Sequence, residues 1–368
     1  MARLQRVILK GFKSIKEMDL ELRSLNVLIG ANGAGKSNLV SFFKMLNEMM
    51  AMRLQQYIGT TGRAQSMLHF GPKVTLQMEA RLEFKVENGV DTYAMRLFHA
   101  AGDTLIFAEE NLSYHQTGYP TPKSIALGSG HEETRIGQKA DEGEKTAGVF
   151  RHLLNHCRVY HFHDTSPTAR VRQYCYIGDN RWLMPDAGNL AAFLLRLREE
   201  KGEVYQRVVR TVQLLAPFFD DFALEPAHPN KTDIILNWRD KGSDGVFGPH
   251  QLSDGTLRAI CLVTLLMQPE DELPELIIVD EPELGLHPYA LNMVAALFKK
   301  ASHHTQILIS TQSSSFLDNF DPEDVVVVER DGKESKFTPQ EGAKLAAWLD
   351  EYSLGEVWEK NVIGGGPH

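Results

Sequence analysis

The clearest chemical pattern is Gly30–Ser37, which reads GANGAGKS and fits the spacing G-x-x-x-x-G-K-[ST] at every position. The segment Asn26–Ile29 before it predicts a short buried strand, and large apolar residues recur at helical spacing over Leu39–Met50. Such glycines let backbone N–H groups turn towards a phosphate, and the following helix N-terminus attracts anions. We therefore predict a nucleotide site in which Lys36 reaches the β- and γ-phosphates and the Ser37 hydroxyl ligates Mg²⁺. The alternative is a glycine-rich turn without a ligand.

A second pattern supplies carboxylates. Leu276–Val279 is an apolar run that predicts a buried strand, and Asp280 and Glu281 follow it directly. Ligands of open α/β sheets bind at the carboxyl ends of the strands. We expect Asp280 to hold Mg²⁺ through water and Glu281 to accept a proton from an attacking water molecule. The alternative is that the two acids after this strand belong to an ordinary surface loop, but the phosphate pattern favours a role in the nucleotide site.

Strands and helices alternate in the last third of the chain, which implies a parallel sheet covered by helices. The predicted elements in order are a strand at Thr232–Trp238, a helix at Asp254–Met267, a strand at Leu276–Val279, a helix at Pro288–Lys299, and strands at Ile307–Ser310 and Val325–Val328. Earlier, residues 74–97 alternate apolar with polar around Asn88-Gly89, which predicts a β-hairpin with one buried face.

Composition limits the class of protein. The 368 residues include 39 basic and 48 acidic side chains, a formal charge of −9, and 43% are hydrophobic, which excludes a disordered chain. The longest apolar run, Ala259–Met267, is far shorter than the roughly 20 residues of a membrane span. No secretory signal is visible, and the three cysteines lack C-x-x-C spacing. We expect a cytoplasmic protein without a membrane partner, and the acidic total disfavours indiscriminate nucleic-acid binding.

Two further segments flank the carboxylates, Gln251–Thr256 upstream and Pro282–Pro288 downstream. With them the sequence resembles the ABC-type ATPases of the RecF and SMC branch and the ATPase module of OLD nucleases. The similar segments are Leu9–Ser14 for the opening strand, Ile29–Asn38 for the phosphate loop, Leu252–Thr256 for a divergent signature motif and Glu283–Pro288 for the D-loop. The resemblance implies an α/β fold: an ABC-type P-loop ATPase head with an antiparallel β subdomain and a mainly helical insertion.

The resemblance covers roughly residues 1–115 and 230–330 and suggests three domains. These are an N-terminal ATPase lobe at 1–115, an insertion at 116–230 and a C-terminal ATPase lobe at 231–368. The polar stretch from Gly118 to Thr146 predicts a mobile loop or an insertion boundary, and 147–215 should be mainly helical. We expect a frayed end over Gly364–His368. No heptad run occurs within 50–250, and the chain stops too soon for a nuclease domain, so neither is expected.

For the site, the resemblance assigns nucleotide contacts along the whole phosphate loop. These residues are Gly30, Asn32, Gly33, Ala34, Gly35, Lys36, Ser37 and Asn38. In the family two protomers sandwich two ATP molecules, and the signature of one faces the γ-phosphate held by the other. The resemblance thus implies an ATP-dependent homodimer, with Ser253 and Gly255 at the partner's nucleotide. Ser253 equally suits an ordinary helix N-cap.

Two positions need separate comment. Gln312 stands where the family usually has a histidine that touches the γ-phosphate. A glutamine can orient water but does not titrate, so slow or stimulus-dependent hydrolysis is expected, unless Gln312 is a plain loop residue. Lys13 resembles a basic residue that touches nucleotide in some relatives, although a surface lysine is the simpler interpretation. The family's Gln-loop has no clear counterpart, with Gln116 as one candidate.

The middle of the chain is not explained by the resemblance. Over 150–182 arginines outnumber acids and alternate with aromatic residues, a composition that suits DNA contact or ordinary ion pairing. The arginines are Arg151, Arg158, Arg170, Arg172 and Arg181. The same stretch contains His152, His156, His161 and His163. Their spacing could bind a metal, but structural histidines are the default interpretation.

Three functions follow as hypotheses. The first is an ATP-gated dimer in DNA maintenance or repair, which predicts DNA-stimulated hydrolysis. The second is the ATPase or sensor subunit of an antiphage or toxin system that acts through a separate effector protein in trans. The third, a transporter motor, is disfavoured by the Leu9–Ser14 opening and the divergent signature. A fourth possibility is a switch that binds ATP and for which turnover is incidental.

Overall fold

The structure is a computed structural model that describes residues 2–229 and 231–366. The chain divides into two compact units. Unit 1 comprises Met1–Val159, Pro274–Ile278 and Gln306–His368, and unit 2 comprises Tyr160–Leu273 and Val279–Thr305. The phosphate loop belongs to unit 1, whereas Asp280, Glu281 and the signature segment belong to unit 2.

The strands in chain order are β1 (Arg3–Phe12), β2 (Ile15–Glu21), β3 (Leu25–Ile29), β4 (Gln77–Val86), β5 (Gly89–Ala100), β6 (Thr104–Gln116), β7 (Lys123–Gly128), β8 (Cys157–Tyr160), β9 (Cys175–Tyr176), β10 (Phe219–Ala223), β11 (Asp233–Ile234), β12 (Asn237–Asp240), β13 (Val246–Phe247), β14 (Leu276–Asp280), β15 (Gln306–Thr311), β16 (Val325–Asp331) and β17 (Glu334–Pro339). The α-helices are α1 (Lys36–Met50), α2 (Leu54–Thr60), α3 (Arg63–Met67), α4 (Ile136–Asp141), α5 (Lys145–Asn155), α6 (Leu190–Glu200), α7 (Gly202–Leu215), α8 (Asp254–Leu266), α9 (Pro288–Ala301), α10 (Ser314–Leu317), α11 (Gly342–Leu349) and α12 (Leu354–Glu359).

Unit 1 contains an antiparallel sheet with the order β2-β1-β4-β5-β6-β7. The predicted hairpin is confirmed from Gln77 onwards, because β4 and β5 pair from Val86↔Gly89 to Gln77↔Phe98. Val74 and Leu76, which the pattern included in its buried face, precede β4 and are exposed. Successive side chains of a strand point to opposite faces, so the alternation predicts one buried face. That face of β4 carries Met78, Ala80, Leu82 and Phe84, all buried.

A second sheet has the order β17-β16-β3-β15-β14-β8. Strand β3 pairs in parallel with β15 and with β16, and β17 adds an antiparallel edge. Every residue of β3 and β15 is buried. Strands covered on both faces are mainly apolar instead of alternating, which explains the short apolar runs Val27–Ile29 and Ile307–Ile309. The predicted mixed α/β fold with a parallel-containing sheet is confirmed.

Unit 2 is built mainly from α6, α7, α8 and α9. Helix α8 is almost entirely buried, from Leu257 to Leu266, so its sequence is apolar on all sides. A small sheet with the order β10-β12-β13 and a two-stranded pair of β9 with β11 complete the unit. Among the described residues, no helix is long and apolar enough to cross a membrane.

The segment from Gly118 to Thr146 differs from the prediction of a mobile loop, because it contains β7 and α4. Its anchor is Glu110 on β6, whose carboxylate is fully buried. Glu110 accepts hydrogen bonds from Tyr93 Oη (3.0 Å) and the backbone N–H of Arg135 (3.1 Å), and it contacts His131 Nε2 at 2.9 Å. A buried carboxylate must be satisfied, and here the polar segment satisfies it.

Two other predicted segments, one strand and one helical region, are interrupted in the structure. Thr232–Trp238 is not one strand, since β11 ends at Ile234 and β12 begins at Asn237. Residues 147–215 are helical at α5, α6 and α7, but most of 161–189 is irregular. Asn189 stabilises this irregular part, because its side-chain amide donates to the carbonyls of Asp179 and Trp182. These contacts give the backbone polar groups the partners that a helix would otherwise supply.

Candidate functional site

The phosphate loop connects the end of β3 to the start of α1. Gly33 (φ 81°) and Gly35 (φ 114°) both lie in the left-handed region, which glycine adopts without a steric penalty. Gly35 is the N-cap of α1, so the first N–H groups of a fifteen-residue helix open towards the loop. This geometry suits an anion such as a phosphate.

Lys36 lies within the loop. Its side chain is buried, and Nζ donates to the carbonyl oxygens of Gly30 (2.5 Å) and Ala31 (3.2 Å). A buried ammonium group needs such partners. The loop carbonyls therefore stabilise the charge of Lys36 within the loop. Asn32, Gly33 and Ser37 are exposed on the same loop.

A chain of polar side chains supports the loop from unit 1. Asn38 Nδ2 donates to Ser14 Oγ (2.5 Å), Ser14 Oγ lies 2.6 Å from Ser335 Oγ, and Ser335 Oγ donates to the Ala34 carbonyl (2.5 Å). Asn38, predicted from the resemblance to contact nucleotide, is thus also part of a structural network. Ser335 on β17 was not singled out from the sequence, because about three hundred residues separate it from the loop.

The C-terminal glycines also touch the loop. The Gly365 carbonyl accepts hydrogen bonds from the Ala31 N–H (3.1 Å) and from Trp358 Nε1 (2.9 Å). A Cβ at Gly365 would approach Val327 Cγ1 to 2.8 Å, so glycine allows this close packing. The expected frayed end is therefore wrong for Gly364–Gly366, while Pro367 and His368 lie outside the described residues.

Lys13 follows β1 with φ 48°, in the left-handed region. Burial, and then the nearby charge of Lys44, lowers the pKa of the Lys13 amine. Its Nζ lies 5.6 Å from the centre of the Phe12 ring. Its contact with nucleotide stays a prediction.

In unit 2, Asp280 is the last residue of β14. Its Oδ1 atom is buried and has no hydrogen-bond partner in the part of the chain that the structure describes. An unpaired buried carboxylate oxygen is costly, so this atom fits a cation or its bound water. Glu281 follows with φ 42°, a strained conformation for a residue other than glycine. Its carbonyl accepts from the Leu284 N–H (3.2 Å), which closes a tight turn.

The signature segment begins α8. Ser253 is the N-cap, and its Oγ accepts from the Thr256 N–H at 3.1 Å, so the N-cap interpretation is observed. A Cβ at Gly255 would overlap the Gly285 carbonyl, which explains why glycine suits this contact with the D-loop. The buried Arg172 donates to the Leu252 carbonyl and to Asp254 (2.8 Å). Arg172 thus holds the signature segment in place.

Several other arginines of the basic segment also have acidic or aromatic neighbours. Arg151 pairs with Asp141 (2.6 Å) and Arg170 with Asp186 (3.1 Å). Arg181 lies over Trp182, with 4.9 Å from its guanidinium carbon to the ring centre. These pairings favour the structural interpretation of the segment over a continuous phosphate-binding surface. Tyr174, Tyr176 and Trp182 are nevertheless largely exposed.

The histidines do not form a metal centre. Within residues 2–229 and 231–366, no group of three or more histidine, cysteine, aspartate or glutamate side chains is arranged to hold a metal ion. His152 and His156 lie with ring centres 4.0 Å apart and their planes tilted by 34°. His163 instead contacts the Asp280 backbone, with 2.7 Å from Nε2 to the carbonyl oxygen. Sequence spacing gave no signal for this contact.

Gln312 and Gln116 are both placed at strand ends. Gln312 follows β15 and is partly exposed, and Gln116 is the last residue of β6 and is exposed. Near Gln312, Ser310 Oγ is buried without a hydrogen-bond partner among the described residues. These positions do not show a function for either glutamine. The assignments of Gln312 to the γ-phosphate position and of Gln116 to the Gln-loop therefore stay predictions.

Comparisons with known proteins agree with this architecture. Residues 171–318 match a family described as "AAA domain, putative AbiEii toxin, Type IV TA system", and residues 2–58 match one described as "Protein of unknown function (DUF2813)". No curated protein matches the chain significantly.

Solved structures match along almost the whole chain. An Smc head bound to the C-winged helix domain of ScpA has a TM-score of 0.61 at 16% identity, covering 94% of this chain and 99% of that chain. An Smc head domain with an extended coiled coil, bound to the C-terminal domain of ScpA and derived from Pyrococcus furiosus, has a TM-score of 0.58 at 16% identity, covering 95% and 99%. These likenesses show that the chain has the fold of an Smc head domain.

Proposed function

We propose that this protein binds ATP with Mg²⁺, hydrolyses it and dimerises around it. The phosphate loop carries the proposal, since left-handed glycines, a buried lysine and a helix N-terminus together suit a polyphosphate. The unpaired Asp280 Oδ1 supports the cation. Ser37 is proposed as a Mg²⁺ ligand from its place in the phosphate pattern, and Asp280 from its place at the end of β14.

Each residue then has a defined task. Lys36 exchanges its loop carbonyls for oxygens of the β- and γ-phosphates, and the α1 N-terminus binds the phosphate charge. Glu281 accepts the proton of the attacking water. Gln312 orients that water through its amide. When bound, Mg²⁺ would offset negative charge on the phosphates.

Dimerisation rests on the signature segment. The N-terminus of α8 carries Ser253 and Gly255 in an exposed or half-buried position, where a hydroxyl and backbone N–H groups suit the γ-phosphate of a second protomer. Ser253 can cap its helix and still accept or donate one further hydrogen bond, because a hydroxyl has one donor and two acceptor sites.

For the output of the ATP cycle we favour a separate effector protein. The description of the matched family names a toxin system, and the two similar Smc head structures each contain a bound ScpA domain. The pairings of Arg151, Arg170 and Arg172 weaken the alternative, a role in DNA maintenance or repair through residues 150–182. That alternative is still supported by the exposed aromatic residues near Arg181.

The test is phosphate release by the purified protein with Mg²⁺ and ATP, alone and with single-stranded or duplex DNA. The control is Glu281→Gln, which preserves size but cannot accept the proton. We expect release that depends on Glu281 and does not change with DNA. Release that is equal in the two proteins would contradict the ATPase assignment.

A rate that rises severalfold with DNA would instead support the maintenance role and contradict our preference for an effector. Tyr174→Ala and Trp182→Ala would then be the variants to compare. If DNA has no effect, affinity capture from cells that express neighbouring genes should recover a partner whose retention depends on ATP.

A further inference from the structure

The turn that carries Glu281 is held at both of its ends by side chains of unit 2. At the start, His163 Nε2 lies 2.7 Å from the carbonyl oxygen of Asp280. At the other end, Arg258 Nη1 donates to the carbonyl of Leu284 at 2.8 Å. Glu281, with its left-handed φ of 42°, lies between these two points.

The two holding residues are joined to each other. Arg258 Nη2 donates to the His163 carbonyl at 2.7 Å, and its Nε donates to the Phe162 carbonyl at 3.1 Å. One guanidinium group therefore fixes the backbone that carries His163 and also the far end of the turn. A planar guanidinium presents five N–H groups in a fixed fork, so it can donate to several carbonyls at once in defined directions.

This arrangement reaches the signature segment directly. Arg258 lies on α8, one turn after Gly255. A Cβ at Gly285 would come within 2.8 Å of Arg258 Nη1, and one at Gly255 would overlap the Gly285 carbonyl. Because these atoms are closely packed, a displacement of the α8 N-terminus should also displace the turn that carries Glu281.

We propose that His163 is a positioning residue for Glu281, holding the Asp280–Glu281 peptide through its Nε2–H, and that Arg258 couples this hold to the signature segment. The inference rests on the proposed hydrolysis and adds to it a residue that touches no nucleotide. A carbonyl can only accept, so Nε2 carries the proton and donates. A carboxylate that abstracts a proton must stay within hydrogen-bond reach of the water. The hydrogen bonds from His163 and Arg258 keep the strained backbone of Glu281 in place for this purpose.

The experiment compares four proteins in steady-state phosphate release: wild type, His163→Ala, His163→Gln and His303→Ala. His303 is an exposed histidine of the same unit and serves as the matched control. A fluorescent ATP analogue measures binding to each protein. Thermal unfolding shows whether each variant is folded.

We expect His163→Ala to lower kcat by about 100-fold, because misplacing a reacting group by about 1 Å costs that much. KM should change by less than about twofold, since a positioning role leaves nucleotide binding intact. His163→Gln should recover most of the rate, because its side-chain amide also donates a hydrogen bond. His303→Ala should match the wild type.

Three results would overturn the inference while the wild type stays active: an unchanged kcat in His163→Ala, equal losses in the alanine and glutamine variants, or a loss of nucleotide binding in His163→Ala. A wild type whose release does not depend on Glu281 would overturn the proposed function itself. The two failures are therefore distinguishable.

Discussion

The hydroxyl of Ser335 lies where a side chain on Gly35 would begin, and it donates a 2.5 Å hydrogen bond to the neighbouring Ala34 carbonyl. The shape of the phosphate loop thus depends on β17, a strand near the C-terminal end of the chain. Ser335 is itself buried and pairs with Ser14, so neither side of this contact has room to move. The fit between a glycine and a distant hydroxyl makes the loop sensitive to a single methyl group.

Replacing Gly35 by alanine should be much more harmful than replacing Gly33. Both residues have positive φ, but a Cβ at Gly33 meets nothing within 4 Å, whereas one at Gly35 overlaps Ser335. We expect Gly33→Ala to cost about 1 kcal/mol of unfolding free energy from the backbone alone. Gly35→Ala should cost about 3 kcal/mol, because overpacking adds to that strain. Urea unfolding of the two variants measures the difference, and equal midpoints would contradict the steric argument.

Glu281→Gln should trap an ATP-bound dimer. The amide cannot accept the proton of water, so kcat should fall by a factor of about 10² to 10⁴, while the phosphate loop still binds ATP. Light scattering with saturating ATP and Mg²⁺ should show twice the monomer mass. Lys36→Ala is the control, since without its ammonium it should stay monomeric under the same conditions. A Glu281→Gln protein that stays monomeric would rule out the sandwich dimer.

Gln312→His should make hydrolysis depend on pH. A glutamine amide does not titrate near neutrality, but a histidine has an ordinary pKa of about 6.5 and accepts from water only when neutral. If Gln312 orients the water, the rate of Gln312→His should fall as the pH drops below about 6.5, with no matching fall in the wild type. The measurement is kcat between pH 5.5 and 8.5. A Gln312→Ala protein with the wild-type rate would show that Gln312 is a plain loop residue.

Asp91 on β5 should make unit 1 less stable as the pH rises. Burial raises the pKa of its carboxyl from 3.8 to about 6. A raised folded-state pKa gives stability that is present below the unfolded-state pKa and is lost as the pH rises through the folded-state value. Between about pH 4 and 6.5 this loss is about 2 kcal/mol, from 1.36 kcal/mol per pKa unit. Asp91→Asn removes the charge, so its advantage over wild type in urea unfolding should grow over that range. A constant difference would contradict the assignment.

The parts of the site that could be predicted from sequence are contiguous in the chain. The phosphate loop, the strand before it and the helix after it all lie within the 26 residues Leu25–Met50, so the spacing alone indicates the geometry. Asp280 and Glu281 are visible for the same reason, because the apolar run before them marks the strand end. A local pattern requires no knowledge of which distant segment packs against it.

The supporting residues could not be predicted, because their partners are far away in the chain. No sequence pattern pairs His163, Arg172 or Ser335 with the backbone carbonyl that tertiary structure places against each. The Gly118–Thr146 segment was misinterpreted for a related reason. Its low apolar content suggested mobility, yet the group that orders it, Glu110, lies just before it on β6.

The contact between the C-terminal glycines and the phosphate loop gives the protein an intrinsic optical reporter. The Trp358 indole is buried and shares the Gly365 carbonyl with the Ala31 N–H, so it lies two hydrogen bonds from the loop. Indole emission responds to changes in such polar neighbours. Occupancy of the loop should therefore be readable from tryptophan fluorescence without a dye, and Trp358→Phe should abolish that signal while leaving the packing of α12 nearly intact.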